Sequence, residues 1–513
     1  MPTTYPASED AIAETGFAYR PQVLWRPNHL LLTPTYRLCV SLFGSLFEED
    51  HRFLLLQFVN AIFGSAAAAL VHCVLANLGV RRVLGLLASL LVGLSYAHWL
   101  HSREGESAII SQFFLMASIC TLSFRLRFEN DHLSTATVSL GATFFALSVL
   151  FSMNNVVLLP AVCLFALAAV PRNQRVRSIV LLTLQSGLLV LAVYGAAATA
   201  AMGRVGPGEM ARWVLHHPSE GRLAGTKELT LTNLFRAGSG LVNAFVGYSG
   251  VPTAAKQLMR GKSTDAIPAG DWIRFLTGSL LALFLALGLL ARPHTPNHRG
   301  VLRAAVAAVL CVGLFNILWL GSDPQFWLPA LPLMVILAAQ VSSGRLQRES
   351  QRKRVPFVWV LGVLVLVASN FSYPVPTLAW PYGGKDYDRA GEYTRHATSR
   401  DLLLHAGSWG RYVPAFGTFR TLSMNYSFRQ TGASYLAELS DRIDETLGNG
   451  GNVYAVDVVR ASPVSIGEWD EIQAQFHVSR HDAVQFLSDR FALEPVQSDT
   501  FGESLWRIRK KED

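Results

Sequence analysis

Apolar stretches of roughly membrane-spanning length recur between Arg52 and Phe371, separated by short polar gaps. A helix needs about 20 apolar residues to cross the hydrocarbon core of a bilayer. The pattern therefore predicts ten crossings, namely Phe53–Leu78, Val83–Trp99, Ala108–Phe124, Leu133–Ser152, Val156–Val170, Ile179–Ala201, Ile273–Ala291, Val301–Leu320, Gln325–Val341 and Val355–Phe371.

Basic residues gather in every second gap between these stretches. Positive side chains resist translocation, so the basic gaps are predicted to be cytoplasmic and the alternate gaps external. Among the external gaps, the one from His101 to Glu106 holds a single arginine, Arg103, and those at Asn154-Asn155 and Gly321 to Pro324 hold no basic residue. The basic gaps contain Arg81, Arg82, Arg125, Arg127, Arg172, Arg175, Arg177, Arg292, Arg299, Arg303, Arg345, Arg348, Arg352, Lys353 and Arg354.

An even number of crossings puts both ends of the chain on one side, and the last basic cluster precedes the final crossing. The tail from Ser372 to Asp513 and the N-terminal stretch are therefore expected outside. Met1–Leu30 holds no signal peptide that could carry it across. Either a first helix is missing from this chain, or Leu30–Phe47 also crosses. Pro34 and Arg37 in that run favour an interfacial helix.

The predicted fold class is a multi-pass α-helical membrane protein of about ten spans with a small external α/β domain. The membrane domain is expected to cover residues 1–371. It includes an external segment at 1–51 with the interfacial helix and a long external loop at 202–272. The tail, residues 372–513, alternates short β-like runs with amphipathic helical stretches, which is typical of an α/β domain. The β-like runs are Leu402–His405, Val453–Val458 and Ser504–Ile508, and the helical stretches include Ala433–Leu447 and Asp482–Arg490.

The composition agrees with a membrane protein. Charged residues make up 16% of the chain and apolar residues 51%, a balance that a soluble domain of this length would not sustain. The net charge is +8, but the basic residues lie at helix ends, where they meet lipid headgroups, so no nucleic-acid partner is predicted. Five cysteines are scattered singly, so they indicate neither a metal site nor a disulfide framework.

Two external clusters could carry chemistry. The first contains Glu9 and Asp10, followed by His29 just before the predicted interfacial helix, and the second is the turn with Arg103, Glu104 and Glu106. A carboxylate can act as general base toward a hydroxyl, and Arg or His can hold a phosphate. A structural alternative exists for both clusters, because acids are also common in the first turn of a helix, where they meet its dipole.

Other polar residues on the predicted external side give weaker evidence for a functional role. Asn154 and Asn155 lie in a break between two helices, where they line a cavity or serve the fold. Asp323 before Pro324 is typical of a helix cap followed by a first-turn proline. The pair Asp386 and Asp388 has the spacing of a divalent-cation motif, but chance explains so short a pattern better.

The order of these features resembles the membrane glycosyltransferases of the GT-C class, especially the protein O-mannosyltransferase-like branch and its bacterial relatives. In that class an acidic motif follows the first helix, a His-containing segment leads into an interfacial helix, and the next outward turn carries another Glu. Here Glu9-Asp10 is similar to the first feature, the segment 27–31 to the second and the segment 103–106 to the third. The likeness covers about residues 5 to 170.

The resemblance implies transfer of a sugar from a polyprenyl-phosphate carrier to an acceptor hydroxyl, at the outer face of a bacterial plasma membrane. It implies three partners, namely the lipid-linked donor, the bilayer and an acceptor glycan, lipid or protein, with no metal or other cofactor. Asp10 or its neighbour Glu9 would be the base. The predicted substrate-binding residues are His29 and Arg103 for the phosphate, Glu104 and Glu106 for hydroxyl groups, and Asn154 and Asn155 in the helix break.

Two other functions compete with this interpretation. A transporter or lipid flippase would use the ionisable cluster as part of a polar pathway, but ionisable groups inside the predicted spans are nearly absent, and His72 is the main one. A non-catalytic homologue of the same class would keep the fold as a scaffold.

Overall fold

The computed structural model describes most of the chain. The described residues are 25, 29–47, 53–104, 106–124, 134–170, 172–203, 206–216, 230–247, 269–289, 296–318, 323–346, 354–372, 381–406, 410, 413, 419–424, 431–460, 469, 472–473, 476–496 and 505–511. They divide into two compact units. One comprises residues 25–32 and 57–378, and the other comprises 33–56 and 379–513.

Every predicted membrane crossing coincides with helical structure, which confirms the multi-pass helical fold. Seven of the crossings are each one continuous helix, because their side chains are predominantly apolar and no proline interrupts a helix interior. These helices are α2 (Phe53–Asn77), α5 (Ser107–Ser123), α6 (Thr135–Phe151), α8 (Arg175–Met202), α11 (Ala269–Leu289), α12 (Pro296–Leu318) and α14 (Arg354–Ser372).

Three predicted crossings are interrupted. The segment Val83–Trp99 forms two helices, α3 (Arg82–Gly93) and α4 (Tyr96–His101). The other two begin with 3₁₀ turns, at Met153–Leu158 before α7 (Leu159–Ala169) and at Pro324–Trp327 before α13 (Leu331–Leu346). Pro160 stands in the first turn of α7, and Pro324 is the first residue of the second 3₁₀ turn, where in both cases the missing N–H costs nothing.

Length and composition alone allow three of the described helices to span a bilayer without help, at Leu54–Asn77, Arg175–Met202 and Gly300–Leu318. The other crossings contain shorter apolar helical stretches of 10–17 residues among the described side chains. Each interruption leaves backbone polar groups without helical partners, and in a bilayer such groups must be satisfied within the protein.

The break between α3 and α4 shows how that is done. The side chain of Asn370 on α14 donates from Nδ2 to the carbonyl oxygen of Leu94, at 2.8 Å, and to that of Phe245, at 3.0 Å. Its Oδ1 accepts a hydrogen bond from the backbone N–H of Gly247 at 3.3 Å. One buried amide therefore closes the break and joins three parts of the chain.

The segments outside the predicted crossings contain further helices. The segment 202–272 contains α9 (Pro207–His216) and α10 (Leu231–Phe245). α10 packs against α4 and against the 3₁₀ turn at Pro324–Trp327. The run predicted to be interfacial forms α1 (Leu32–Phe43), whose 12 residues would extend only about 18 Å, too short to cross a bilayer.

The C-terminal residues form the expected α/β domain. Its sheet has the strand order β2-β1-β3-β5-β4, in which β1 is parallel to β2 and β3, and β5 is antiparallel to β3 and β4. A capping box between Ser479 and Asp482 begins the last helix. The elements in order are α15 (Pro381–His396), β1 (Leu402–His405), β2 (Arg420–Ser423), α16 (Gly432–Gly448), β3 (Val453–Val456), α17 (Arg480–Arg490), β4 (Phe491–Pro495) and β5 (Leu505–Lys510).

This domain has a core on each face of the sheet. Leu402 and Leu404 pack with α16 and α17 on one face, and Leu403 packs with Tyr393 of α15 on the other. The short strands are therefore continuous apolar runs, because both of their faces are buried.

Candidate functional site

The turn between α4 and α5 gathers four ionisable side chains that are almost wholly buried. His101, Arg103, Glu104 and Glu106 are between 3% and 6% exposed. Charged side chains are rarely buried unless they are paired, because removing a charge from water is costly. A solvated turn between two membrane helices would leave these groups in water. Their burial therefore indicates that the turn forms a candidate functional site.

Two residues of α2, one helical turn apart, hold this turn in place. The side-chain amide of Asn60, fully buried, donates to the carbonyl oxygens of Glu104 and Glu106, the latter at 2.7 Å, and lies 3.4 Å from that of His101. At Gly64 the turn approaches the helix so closely that a methyl group there would overlap the side chain of Ser102.

A second set of bonds holds the base of α4. His98 lies between α2 and α5, with Nδ1 2.8 Å from Oε1 of Gln112 and Nε2 3.0 Å from the carbonyl oxygen of Gly64. Gln112 in turn donates to the carbonyl oxygen of Leu328 at 3.0 Å. α4, which leads into the turn, is therefore held through His98 on both sides, by α2 and by α5.

Glu106 does not act as the helix cap that its position suggests. It directly precedes α5 but makes no side-chain capping hydrogen bond. Its Oε2 lies instead 3.0 Å from Nδ1 of His101, and Glu104 Oε2 lies 3.9 Å from the same nitrogen. The two carboxylates therefore orient and charge the imidazole.

The pKa values follow from this arrangement. Burial alone would lower the pKa of His101, which lies beyond the predicted span Val83–Trp99, but Glu106 and Glu104 outweigh burial and raise it to about 9. Burial and the neighbouring Glu106 raise the pKa of Glu104. His101 is thus a cation at neutral pH, and its Nε2 has no hydrogen-bond partner among the described residues.

Arg103 is the second cation of the turn. Its guanidinium lies 5.0 Å from the ring centroid of Trp99, a cation–π distance. Its Nε and Nη2 are buried and have no hydrogen-bond partner in the part of the chain that the structure describes. A guanidinium offers a planar fork of donors that matches phosphate oxygens, so this side chain is suited to binding an anion.

His29 lies against the end of the same turn. Its Nδ1 is 2.6 Å from Oγ of Ser107, the residue after Glu106, and 3.3 Å from the carbonyl oxygen of Phe151. The structure therefore brings His29 together with the 103–106 turn across more than 70 residues of sequence. Glu9 and Asp10, the predicted bases, lie outside the described residues, so their convergence on the turn stays a prediction.

The two asparagines of the helix break line one small cavity, whose volume is about 20 Å³ and whose lining includes Ser111 and Gln325. That volume accommodates about one water molecule. Asn155 is buried and also donates from Nδ2 to Oγ of Ser148 at 2.6 Å, which stabilises the break.

Asp323 confirms the helix-cap interpretation and adds a charge near the site. Its side chain accepts a hydrogen bond from the backbone N–H of Gln325 at 2.9 Å. Burial raises its pKa, while the charge of His101 lowers it, so the two groups lie within electrostatic reach. The sequence predicted the helix cap, but it did not predict that Asp323 lies near His101.

Three residues could hold a metal ion. One ligand atom each from His101, Glu104 and Glu106 lie within 4.8 Å of one another. Imidazole and carboxylate ligands suit zinc and related divalent ions. The resemblance implied no metal, and the side chains present fit one.

Two residues of the site have roles that the sequence did not predict. His101 was part of the recognised cluster but received no role, and the signal available was its position within five residues of two acids. Asn60 was visible only as a polar residue inside an apolar span. Such residues satisfy polar groups within the membrane, which is the role it has here.

Comparison with known proteins assigns the fold. No family model matches the sequence, and no curated protein matches it. Solved structures do match. ArnT from Cupriavidus metallidurans bound to undecaprenyl phosphate superposes with a TM-score of 0.57 at 12% identity, over 99% of this chain and 94% of that one. The archaeal oligosaccharyltransferase AglB from Archaeoglobus fulgidus, in complex with an inhibitory peptide and a dolichol-phosphate, gives 0.52 at 13% identity, over 98% and 70%.

A crystal structure of the Archaeoglobus fulgidus oligosaccharyltransferase in complex with zinc and sulfate gives a TM-score of 0.52 at 12% identity, over 99% of this chain and 70% of that one. These likenesses extend over nearly the whole chain, membrane helices and C-terminal domain alike. The protein is an integral membrane protein with the fold of the GT-C class of membrane glycosyltransferases. The O-mannosyltransferase-like branch stays a prediction from the sequence.

Proposed function

We propose that this protein is a GT-C glycosyltransferase that transfers a sugar from a polyprenyl-phosphate-linked donor to an acceptor hydroxyl at the external face of the membrane. The observation that carries the proposal is the buried guanidinium of Arg103, whose Nε and Nη2 have no hydrogen-bond partner among the described residues. Buried donors of this kind are costly unless they meet an anion. A lipid-linked phosphate at headgroup level supplies one.

The GT-C fold supports the same assignment. ArnT, which shares the fold, has been crystallised with undecaprenyl phosphate, and AglB with a dolichol-phosphate. Both ligands are polyprenyl phosphates, which keep their tail in the bilayer and their phosphate at its surface. A donor of this class needs no nucleotide site.

In the proposed reaction the acceptor oxygen attacks the anomeric carbon as the bond from that carbon to the phosphate oxygen breaks. The acceptor proton passes to Asp10 or Glu9, and the phosphate leaves with the electron pair of the broken bond. Arg103 and His29 stabilise the charge that develops on the phosphate. Glu104 orients sugar or acceptor hydroxyls.

The geometry refines the role of Glu106. Its carboxylate faces His101, so it acts on substrate through the imidazole rather than directly. Asn154 faces a cavity large enough for a water molecule or a hydroxyl group, and we assign it to substrate binding, with Asn155 holding the break in shape. When bound, a divalent ion at His101, Glu104 and Glu106 would supply further positive charge.

The topology follows from the basic gaps. We propose that the gaps containing Arg81 and Arg352 face the cytoplasm of a bacterial cell and that the 103–106 turn and the tail 372–513 face outward. The C-terminal α/β domain would then select or position the acceptor glycan, lipid or protein.

The decisive experiment is transfer by the purified protein in lipid nanodiscs with a panel of radiolabelled polyprenyl-phosphate sugars. Arg103→Gln should lower transfer by about 100-fold or more, the usual effect of removing one donor that stabilises transition-state charge. Arg103→Lys should restore part of the rate, because a lysine keeps the charge but not the fork.

The matched control is Arg82→Gln, an exposed arginine at the opposite end of the α3–α4 pair. It should transfer at the wild-type rate. Failure of the wild-type protein to release sugar from every donor, with transport of the intact lipid across the bilayer instead, would replace the glycosyltransferase proposal with the flippase alternative. Inactivity in both assays would favour a non-catalytic homologue.

A further inference from the structure

A groove opens between α5 and α6 at the end of these helices that is far from the candidate site. Its volume is about 390 Å³, and it is lined by the last turn of α5 and the first turns of α6. The lining side chains are mostly apolar, and they are Cys120, Thr121, Phe124, Ala136, Thr137 and Leu140. α5 has 17 residues and rises about 26 Å, so the groove and the 103–106 turn lie at opposite ends of one helix.

The groove is large for a gap between two packed helices. Binding pockets for small ligands measure about 300–1,000 Å³, and this groove falls within that range. Its lining includes Phe124 and Leu140, which are 56% and 48% exposed. Within a bilayer, an open apolar groove of this kind is filled by lipid chains.

A basic side chain contacts α6 one residue before the groove lining begins. Arg177, near the start of α8, donates from Nη2 to Oγ1 of Thr135 at 3.3 Å. Thr135 directly precedes Ala136 and Thr137, which line the groove. Among the described residues Arg177 makes no other hydrogen bond.

We infer that this groove binds an anionic phospholipid of the leaflet opposite the candidate site. One acyl chain lies between α5 and α6, and the headgroup phosphate contacts Arg177. Basic pockets between membrane helices recognise anionic headgroups through this combination of apolar groove and positive charge. The site is independent of the proposed glycosyl transfer.

Cys120 lines the groove and can report its occupancy. The test uses the full-length protein with Cys39, Cys73, Cys163 and Cys311 replaced by alanine, in nanodiscs of phosphatidylcholine with or without phosphatidylglycerol. We expect phosphatidylglycerol to slow alkylation of Cys120 by N-ethylmaleimide. A matched protein that keeps only Cys311, a half-exposed cysteine on α12, measures the general effect of a negative surface on thiol reactivity.

Arg177→Gln should weaken the protection by about five-fold, the factor that corresponds to about 1 kcal/mol per basic residue near an anionic surface. Arg82→Gln, which removes an exposed arginine at another helix start, should leave it unchanged. A photoreactive phosphatidylglycerol with a diazirine in its acyl chain should form adducts on the Cys120 or Leu140 peptides of the unmodified chain.

Three results would overturn the inference. The first is equal slowing at Cys120 and Cys311, and the second is protection that persists in Arg177→Gln. The third is protection of Cys120 by undecaprenyl phosphate in pure phosphatidylcholine, because the groove would then hold the tail of a polyprenyl carrier.

Discussion

Substitution of Asn60 by alanine isolates the contribution of one buried amide to the shape of the candidate site. The change removes the hydrogen bonds that Asn60 donates to the carbonyl oxygens of Glu104 and Glu106 and leaves both carbonyls without that donor. An unsatisfied buried polar group costs about 1–3 kcal/mol, so the turn should relax to recover other partners. A displacement of about 1 Å at a catalytic site can cost about 100-fold in rate. We expect Asn60→Ala to lose about that factor in kcat/KM.

The same helix supplies the control. Asn77 is also buried on α2, at its other end, and donates one hydrogen bond, to Oγ of Ser123 at 3.0 Å. Asn77→Ala should destabilise the protein by about 1 kcal/mol and leave kcat/KM unchanged. The assay compares sugar transfer in nanodiscs with thermal stability for both variants. Wild-type transfer by Asn60→Ala, or an equal loss in Asn77→Ala, would show that the amide does not position the site.

Three further predictions concern packing, pH and topology. Gly64→Ala should lower transfer because its methyl group overlaps a serine of the turn, whereas Gly187→Ala on α8, where a methyl group meets open space, should transfer normally; initial rates of the two variants test this. Because the folded pKa of His101 is raised to about 9, its contribution to stability is complete below about pH 6.5 and is lost as the pH rises through 9. The melting temperature measured with a chelator should therefore fall over that range, and His101→Gln should reduce the fall; a melting temperature that rises would contradict the sign. In a chain without native cysteines, Asn449→Cys should react with an impermeant thiol reagent in intact cells and Arg81→Cys only after permeabilisation, and the reverse pattern would invert the proposed orientation.

The membrane helices were predictable because the bilayer imposes a length and an apolar character that a sequence displays directly. Three of the five strands of the C-terminal domain were predictable for a related reason, since runs such as Leu402–His405 and Val453–Val458 are short and mostly apolar, whereas β2 and β4 were not predicted. The break at Leu94–Ser95 was not predicted either, although glycine and serine, the types of Gly93 and Ser95, are common at helix ends. Asn370, far away in sequence, supplies a donor to the carbonyl oxygen of Leu94 at this break.

The sequence predicted which ionisable residues form the turn of the site, but it did not predict which of them contact one another. A short external turn with several ionisable groups was visible in the sequence, but Glu106 looked like a helix cap, and the structure gives its carboxylate to His101. The choice between these partners depends on burial, which lowers the local dielectric and makes a charged partner worth more than a backbone N–H. The turn is buried because it packs against α2, a helix that is distant from the turn in sequence.

The bonds from Asn60 reach backbone carbonyls of the turn and none of its side chains. The hydrogen bonds from Asn60 therefore fix the backbone of the turn whatever side chains the turn carries. Residues at positions 103 and 104 can be exchanged without removing the contacts that set where they stand. Because α2 and Asn60 hold the backbone of the turn, protein engineers can exchange its side chains one at a time to change the preference for one lipid-linked sugar over another.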